Sequence, residues 1–281
     1  MEHELMHDEE GFRKHIIERL NGVDLDFMEQ MTLIRKKHKE GIQSSASGVL
    51  VPLEFDPAQK EYVIILNKRS PYVVQPGDLC CPGGGMDHRL ERILGYLLGR
   101  NLIPHAWTGP FRRLPRLPGM EKEVFSVIFA GVLRESWEEM GLNPCNVEYL
   151  GGLPTHRVQS FPRYIFPVVG RIRKSWKEKL NWEVERIIRV PLRMFLDTDN
   201  YAMYSQILPL TLREMAGMDR WELPCLVIRD EGGEEILWGA TFRILLYFVE
   251  TVMDLPIEKI NPQRRIERDL PTDYFTGRAR T

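Results

Sequence analysis

Apolar residues recur at helical spacing from the start of the chain. Phe12, Ile16, Ile17 and Leu20 form one stripe, and Phe27, Met31 and Ile34 continue it at steps of four and three. The spacing predicts helices over the first forty residues. They end in the basic run Arg35 to Lys39, which reads as a solvated helix end with cations near the C-terminal dipole. From Ala46 the texture changes. Residues 46–54 and 62–67 are rich in β-branched side chains and flank Asp56-Pro57-Ala58, which predicts two strands around a turn. A loop dense in proline and glycine follows. Leu90, Ile93, Leu94, Leu97 and Leu98 then form an apolar stripe that predicts an amphipathic helix over 88–100. Pro104, Pro110, Pro115 and Pro118 exclude a long helix across the next stretch, which also carries Arg112, Arg113 and Arg116.

A longer helix is predicted over about 122–141, with Gly141 as its C-cap and Pro144 just beyond. Strand patterns return at 146–150, 163–172 and 183–190, the last leading into a short helix at 191–197. The run LPCLVIRD-EGGE-EILWG predicts a hairpin, and 240–253 a final helix. The charged, proline-containing tail from Pro256 is expected on the surface. Strands and helices interleave without strict βαβ alternation, so the expected class is α+β with a mixed sheet between helices.

Composition narrows the function classes. The 281 residues are 43% hydrophobic and 28% charged, which is globular rather than disordered or fibrous. The 38 basic and 40 acidic side chains leave a net charge of -2, which argues against a dedicated nucleic-acid binder. No apolar run reaches the roughly 18–20 residues of a membrane span. The acidic start is unlike a secretory signal, and Cys80, Cys81, Cys145 and Cys225 lack paired C-x-x-C spacing. The expectation is a cytoplasmic protein with reduced thiols.

The chemistry is concentrated in Arg134-Glu135-Ser136-Trp137-Glu138-Glu139-Met140-Gly141-Leu142. At about 100° per residue, Glu135, Glu138 and Glu139 fall on one helix face, while Ala130, Leu133, Trp137 and Met140 are expected on the opposite, buried face. Like charges at that spacing repel by a few tenths of a kcal/mol per pair. Arg134, four residues before Glu138, can pair with one carboxylate. A hard divalent cation, Mg²⁺ or Mn²⁺, suits the others. Taken alone, the glutamates fit a solvated acidic face better than a metal site.

The run resembles the helical half of the Nudix box, G-x5-E-x7-R-E-U-x-E-E-x-G-U with U aliphatic. Arg134, Glu135, Glu138, Glu139, Gly141 and Leu142 match, with Ser136 at an aliphatic position. Pro82-Gly83-Gly84 is similar to the P-G-G that opens the box. Gly84 and Arg134 are 50 positions apart where the pattern has 14, a surplus of 36 that reads as an insertion over about 88–122. The box's first glutamate falls on Ser126 counted back and on Leu90 counted forward, so Glu91, Glu121 and Glu123 are candidate replacements.

Beyond the box, Asn67-Lys68-Arg69-Ser70, Pro76-Gly77, Thr155, Ser160-Phe161, Tyr164 to Gly170, Glu183-Val184, Val190-Pro191-Leu192 and Trp238 to Thr241 resemble segments of the coenzyme A pyrophosphatase-like branch. Together they cover about residues 46–250. Where that branch has H-x-G-Q, this chain has Gln75-Pro76-Gly77-Asp78.

The resemblance implies a Nudix-type α/β/α sandwich and metal-dependent hydrolysis of a pyrophosphate bond in a nucleoside diphosphate derivative, coenzyme A among the candidates. It implies Arg134, Glu135, Glu138 and Glu139 as catalytic residues. Gly83, Glu135, Glu138 and Glu139 would form the metal shell with Glu183 as a candidate further carboxylate, which fits an ordinary strand-end glutamate equally well. Gly84 would lie against substrate, and Arg69 and Arg157 are candidates to hold its phosphates, each equally readable as a surface arginine. The expected layout is a helical extension at 1–45, the Nudix domain at 46–255 and a tail at 256–281. The apolar stripe of the insertion needs a cover, either the domain itself or a second copy in a homodimer. Two other readings remain open. One is a non-catalytic nucleotide- or partner-binding protein on the same fold, and the other is contact of the insertion with an anionic membrane surface.

Overall fold

The computed structural model describes residues 5–85, 119–158, 162–209, 213, 217–230, 232–255, 260 and 262–278. The amphipathic stretch 88–100 and the arginines at 112–116 lie outside them. The chain divides into two compact units, Met1–Ile65 with Cys81–Asn181, and Leu66–Cys80 with Trp182–Thr281.

The first unit begins with α1 (Glu9–Asn21) and α2 (Phe27–Lys39). Asp8 caps α1, its carboxylate accepting from the Gly11 N–H at 3.1 Å. The expected stripes are buried: Phe12, Ile16 and Leu20 on α1, and Phe27, Met31 and Ile34 on α2. The long helix is α3 (Gly119–Met140), which starts three residues earlier than expected. In this unit β1 (Ser45–Asp56) pairs antiparallel with the start of β2 (Glu61–Arg69) and parallel with β7 (Arg163–Ile172). Strand β5 (Val147–Gly152) and the short β6 (His156–Arg157) pair antiparallel with β7, and β4 (Gly83–Gly85) pairs with β1.

Helices cover both faces of this sheet. Leu20 of α1 meets Gly151, and Arg171 pairs with Glu9 and Glu10 of α1. Gly151 and Arg171 point to one side of the pleat, whereas Phe166 and Tyr149 point to the other. There Phe27 of α2 stacks on Phe125 of α3 at 5.9 Å and meets Phe166 edge-on at 5.1 Å. Tyr149 meets Phe125 and Phe129 of α3. The unit is therefore an α/β/α sandwich, and the helical extension at 1–45 supplies parts of both outer layers.

The second unit holds the end of β2, β3 (Leu79–Cys80), β8 (Val184–Pro191) and a four-stranded sheet. That sheet has the order β11 (Gly233–Leu237), β10 (Arg220–Asp230), β9 (Tyr201–Ile207), β12 (Arg265–Asp269). The predicted hairpin is β10–β11, and the final helix is α4 (Gly239–Met253). The short helix expected at 191–197 is a 3-10 turn at Leu192–Phe195. The tail lies largely at the surface, with four of the five β12 residues exposed. It is also tied down, adding β12 in parallel to β9 and burying Leu270 and Tyr274.

Asp78 anchors that tail. Its carboxylate accepts from the Tyr274 hydroxyl at 2.6 Å and from the Trp238 indole N–H at 3.1 Å. Burial pushes the Asp78 carboxyl up to about 6. A raised carboxylate contributes stability below its unfolded value, and that contribution is lost as pH rises through the folded value. Wild-type stability relative to Asp78→Asn should therefore fall by about 2 kcal/mol between pH 4 and pH 6. Urea unfolding of both proteins across that range is the check. A difference that does not vary with pH would show that Asp78 titrates normally.

Among the described residues no helix is long and apolar enough to cross a membrane. None of the four cysteines is in a disulfide.

Candidate active site

The box residues meet within the first unit. Strand β4 lies beside β1, with Gly84 opposite Gly48 and Gly83 opposite Val49, and helix α3 lies over the pair. The backbone N–H of Gly83 donates to Glu139 Oε2 at 3.3 Å. A Cβ on Gly84 would stand 2.7 Å from the Glu135 carboxylate. The turn and the helix thus form one cradle, although Gly84 and Glu135 are 51 positions apart in sequence. A side chain at Gly83 would run into the β1 backbone, and one at Gly84 would displace the Glu135 carboxylate.

The three glutamates are not equivalent. Glu139 is buried at 8% exposure. Glu135 is partly buried, and Arg134 donates to it at 2.6 Å. Glu138 is turned outward, its side chain 55% exposed, and takes the other arm of Arg134 at 2.8 Å. Arg134 therefore pairs with Glu138, as its four-residue spacing predicts, and steadies Glu135 as well.

Trp137, expected on the buried face, is 50% exposed. The buried arc of α3 is centred on Ser136, Phe129 and Val132 and runs to Glu139 at its edge. Ser136 is fully buried, and its hydroxyl donates to the Val132 carbonyl at 2.7 Å. A hydroxyl bonded back into its own helix replaces the aliphatic side chain of the pattern without leaving an unmet polar group.

Gly141, at φ +73, closes the helix by donating to the Trp137 carbonyl at 2.9 Å. The Lys179 and Asn181 backbone N–H groups donate to the Met140 and Glu139 carbonyls, both at 3.0 Å, so the last turn is held from outside. Of the candidates for the first box glutamate, Glu121 and Glu123 are exposed and Ser126 is fully buried. Glu91 lies outside the described residues.

Arg157, on β6, stands over the buried Tyr164 ring. Arg69 and Glu183 belong to the second unit. Arg69 Nε donates to the Val74 carbonyl at 2.8 Å, and the Glu183 carbonyl accepts from the Ser70 N–H at 2.8 Å.

Among the described residues no three His, Cys, Asp or Glu side chains gather as a metal cage. The donor set still fits Mg²⁺ or Mn²⁺. Such ions usually take one or two carboxylates together with substrate phosphates and waters. Glu135 and Glu139 beside the Gly83–Gly84 peptides supply that many hard oxygens.

No family model matches the chain. The peroxisomal coenzyme A diphosphatase ndx-8 of Caenorhabditis elegans is 29% identical over 161 residues, which is 56% of this chain and 53% of that protein. The chain thus spans about half the length of this curated relative. Similar solved structures include a MutT/nudix family protein from Enterococcus faecalis, with TM-score 0.40 and 12% identity over 82% of this chain and 72% of that one. A Nudix hydrolase from Alicyclobacillus acidocaldarius gives TM-score 0.38 and 12% identity over 55% of this chain and 82% of that one. The resemblance to Nudix hydrolases carried by the box is borne out by the coenzyme A diphosphatase match.

Proposed function

We propose that this chain hydrolyses the pyrophosphate bond of a nucleoside diphosphate derivative with the help of a divalent cation. Coenzyme A or a close relative is the first substrate to test. The carrying observation is the cradle itself: Glu135 and Glu139 converge on the Gly83–Gly84 turn despite the 36-residue surplus between them. The coenzyme A diphosphatase named above supports the choice of substrate.

Glu135, Glu139 and the Gly83 carbonyl would hold Mg²⁺ or Mn²⁺. A bound ion of that kind neutralises charge on the phosphates and lowers the pKa of an attacking water. The chain's own residues do the positioning. Gly83 N–H fixes one oxygen of Glu139, and Arg134 fixes one oxygen of Glu135. Both carboxylates are thereby held before substrate arrives, which spares reorganisation during reaction. Glu138, drawn to Arg134 on the outside, acts in this reading by setting the position of that arginine.

The test is cleavage of coenzyme A, ADP-ribose, NADH and dinucleoside polyphosphates with Mg²⁺ and with Mn²⁺. At least one should be cleaved at the pyrophosphate and none without metal. Silence across the panel would leave a nucleotide-binding protein. Mn²⁺ titration then separates the readings, because equal binding by wild type and Glu139→Gln would remove the helix from the metal site.

A further inference from the structure

The tail that follows α4 runs back over the loop at 70–78, which joins β2 to β3, and both belong to the second unit. After β12 the Leu270 N–H donates to the Ile207 carbonyl at 2.9 Å. Leu270 and Tyr274 then bury with Leu208, and Trp221, Trp238 and Phe275 pack against them. From there the tail fastens onto the loop. The Tyr274 carbonyl accepts from the Gln75 N–H at 2.6 Å, and the Pro71 carbonyl accepts from the Arg278 N–H at 3.0 Å. Gly277, at φ +71, passes so close that a Cβ would stand 2.8 Å from the Tyr72 carbonyl oxygen.

The loop holds itself less firmly. Its base is closed, because the Arg69 N–H donates to the Asp78 carbonyl at 3.0 Å and the Gly77 N–H to the Arg69 carbonyl at 2.9 Å. Arg69 Nε also ties the Val74 carbonyl at 2.8 Å. Between these ties the bonds are long: Val73 N–H to the Ser70 carbonyl and Asp78 N–H to the Gln75 carbonyl are both 3.4 Å. Gln75 sits at φ +57, a left-handed conformation that residues with side chains rarely adopt. Its N–H is the one that the tail takes. Tyr72 and Val74 are exposed. A strained residue and few internal bonds mark this loop as the part that opens when the tail lifts.

Asp78 joins the two. As a residue it is half-buried, and its carboxylate is the end engaged by the buried Tyr274 hydroxyl and the Trp238 indole. The titratable groups around it are Tyr274 on the tail, Tyr204 on β9 and Arg69 at the end of β2. Burial raises the carboxyl against both hydrogen bonds and the Arg69 charge, which favour the ionised form. Burial, with the Asp78 charge, pushes both phenols up, so they stay neutral while Asp78 titrates. Lifting the tail returns water to the carboxylate, so ionisation favours the open form. We propose that the tail from Arg264 to Arg278 is a strap latched by a proton: protonated Asp78 keeps it closed over the loop at 70–78, and ionised Asp78 lets the turn around Tyr274 lift and free that loop. The device acts within the second unit and does not depend on the hydrolase reading.

Native-state hydrogen exchange on the full chain reads the opening directly. The reporters are the Gln75 and Arg278 amides, which bond between loop and tail, with the Leu226 and Ile228 amides of β10 as the global reference. After correction for the intrinsic rate at each pH, the opening constant at Gln75 and Arg278 should exceed that of the reference. It should also rise about tenfold from pH 5 to pH 7, the change expected when a carboxyl at about 6 returns to its ordinary value on opening. Asp78→Asn, which keeps an oxygen for Tyr274 and Trp238, should make the constant flat over that range. Tyr274→Phe removes one fastening and should raise the constant at both pH values while keeping its rise with pH. A flat wild-type profile would overturn the latch, and so would an Asp78→Asn protein with the wild-type rise. Strap and β10 amides with one shared opening constant would overturn the strap, because the tail would then open only when the whole unit unfolds. Should Asp78→Asn fail to fold, a Tyr274→Phe constant equal to wild type would still overturn the proposal, since Tyr274 would not be fastening the tail.

Discussion

Glu139→Gln is expected to lower kcat/KM by about 10³-fold, the rate equivalent of about 4 kcal/mol of transition-state stabilisation. The amide keeps the shape and still accepts the Gly83 N–H through its oxygen, so the turn and the helix stay in register. What is lost is the negative charge, in the one glutamate of the three that is buried. Glu138→Gln should cost less than about tenfold. Its side chain is exposed, and it pairs with Arg134 at i,i+4, a contact of the kind worth about 0.3–0.5 kcal/mol. The ratio between the two variants is the diagnostic quantity. Equal losses would mean that all three glutamates share the work, and equal retention would mean that the helix does none. Melting curves of both variants should match the wild type, which keeps a rate loss from being a folding loss.

The sequence made the α3 box legible because the pattern is local and its charges are spaced by the helix itself. Its burial was harder to read. Counting glutamates places the polar face around Glu138, but packing against β1 and β5 turns the helix so that Ser136 is innermost, Glu139 lies at the buried edge and Trp137 emerges. No helical count reports that rotation, because it is set by Phe125, Phe129 and Tyr149 across the layer. Strand β7 was readable to the residue, being an almost continuous apolar run bounded by charge. Strand β12 was not. RIERD has one apolar residue in five and takes its place only because β9 offers an edge. The role of Asp78 was hidden for a related reason, since its partners Trp238 and Tyr274 lie 160 and 196 positions away. The Lys37–Tyr164 contact spans 127 positions and belongs to no pattern.

The two glycines of the cradle should fail in different ways, and the difference tests whether the turn is built for Glu135 and Glu139. A Cβ on Gly83 would stand 2.2 Å from the Gly48 carbonyl oxygen and 2.7 Å from the Val49 Cα, both backbone atoms of a central strand. Neither can move without shifting β1, and the Gly83 φ of +155 adds strain of its own. Gly83→Ala is therefore expected to destabilise the protein by about 3 kcal/mol, seen as a melting temperature lowered by about 6–12 °C. A Cβ on Gly84 meets only the Glu135 carboxylate, at 2.7 Å, which is the free end of a flexible side chain. Gly84→Ala should leave the melting temperature within about 2 °C, because the side chain swings aside at little energetic cost. It should still lower kcat/KM by about 10²-fold, since a displacement of about 1 Å at a reacting centre is enough for that. A Gly84→Ala protein with full activity would show that Glu135 is not held for chemistry. One that unfolds like Gly83→Ala would show that the turn is a packing feature of β1 and the glutamates only its neighbours.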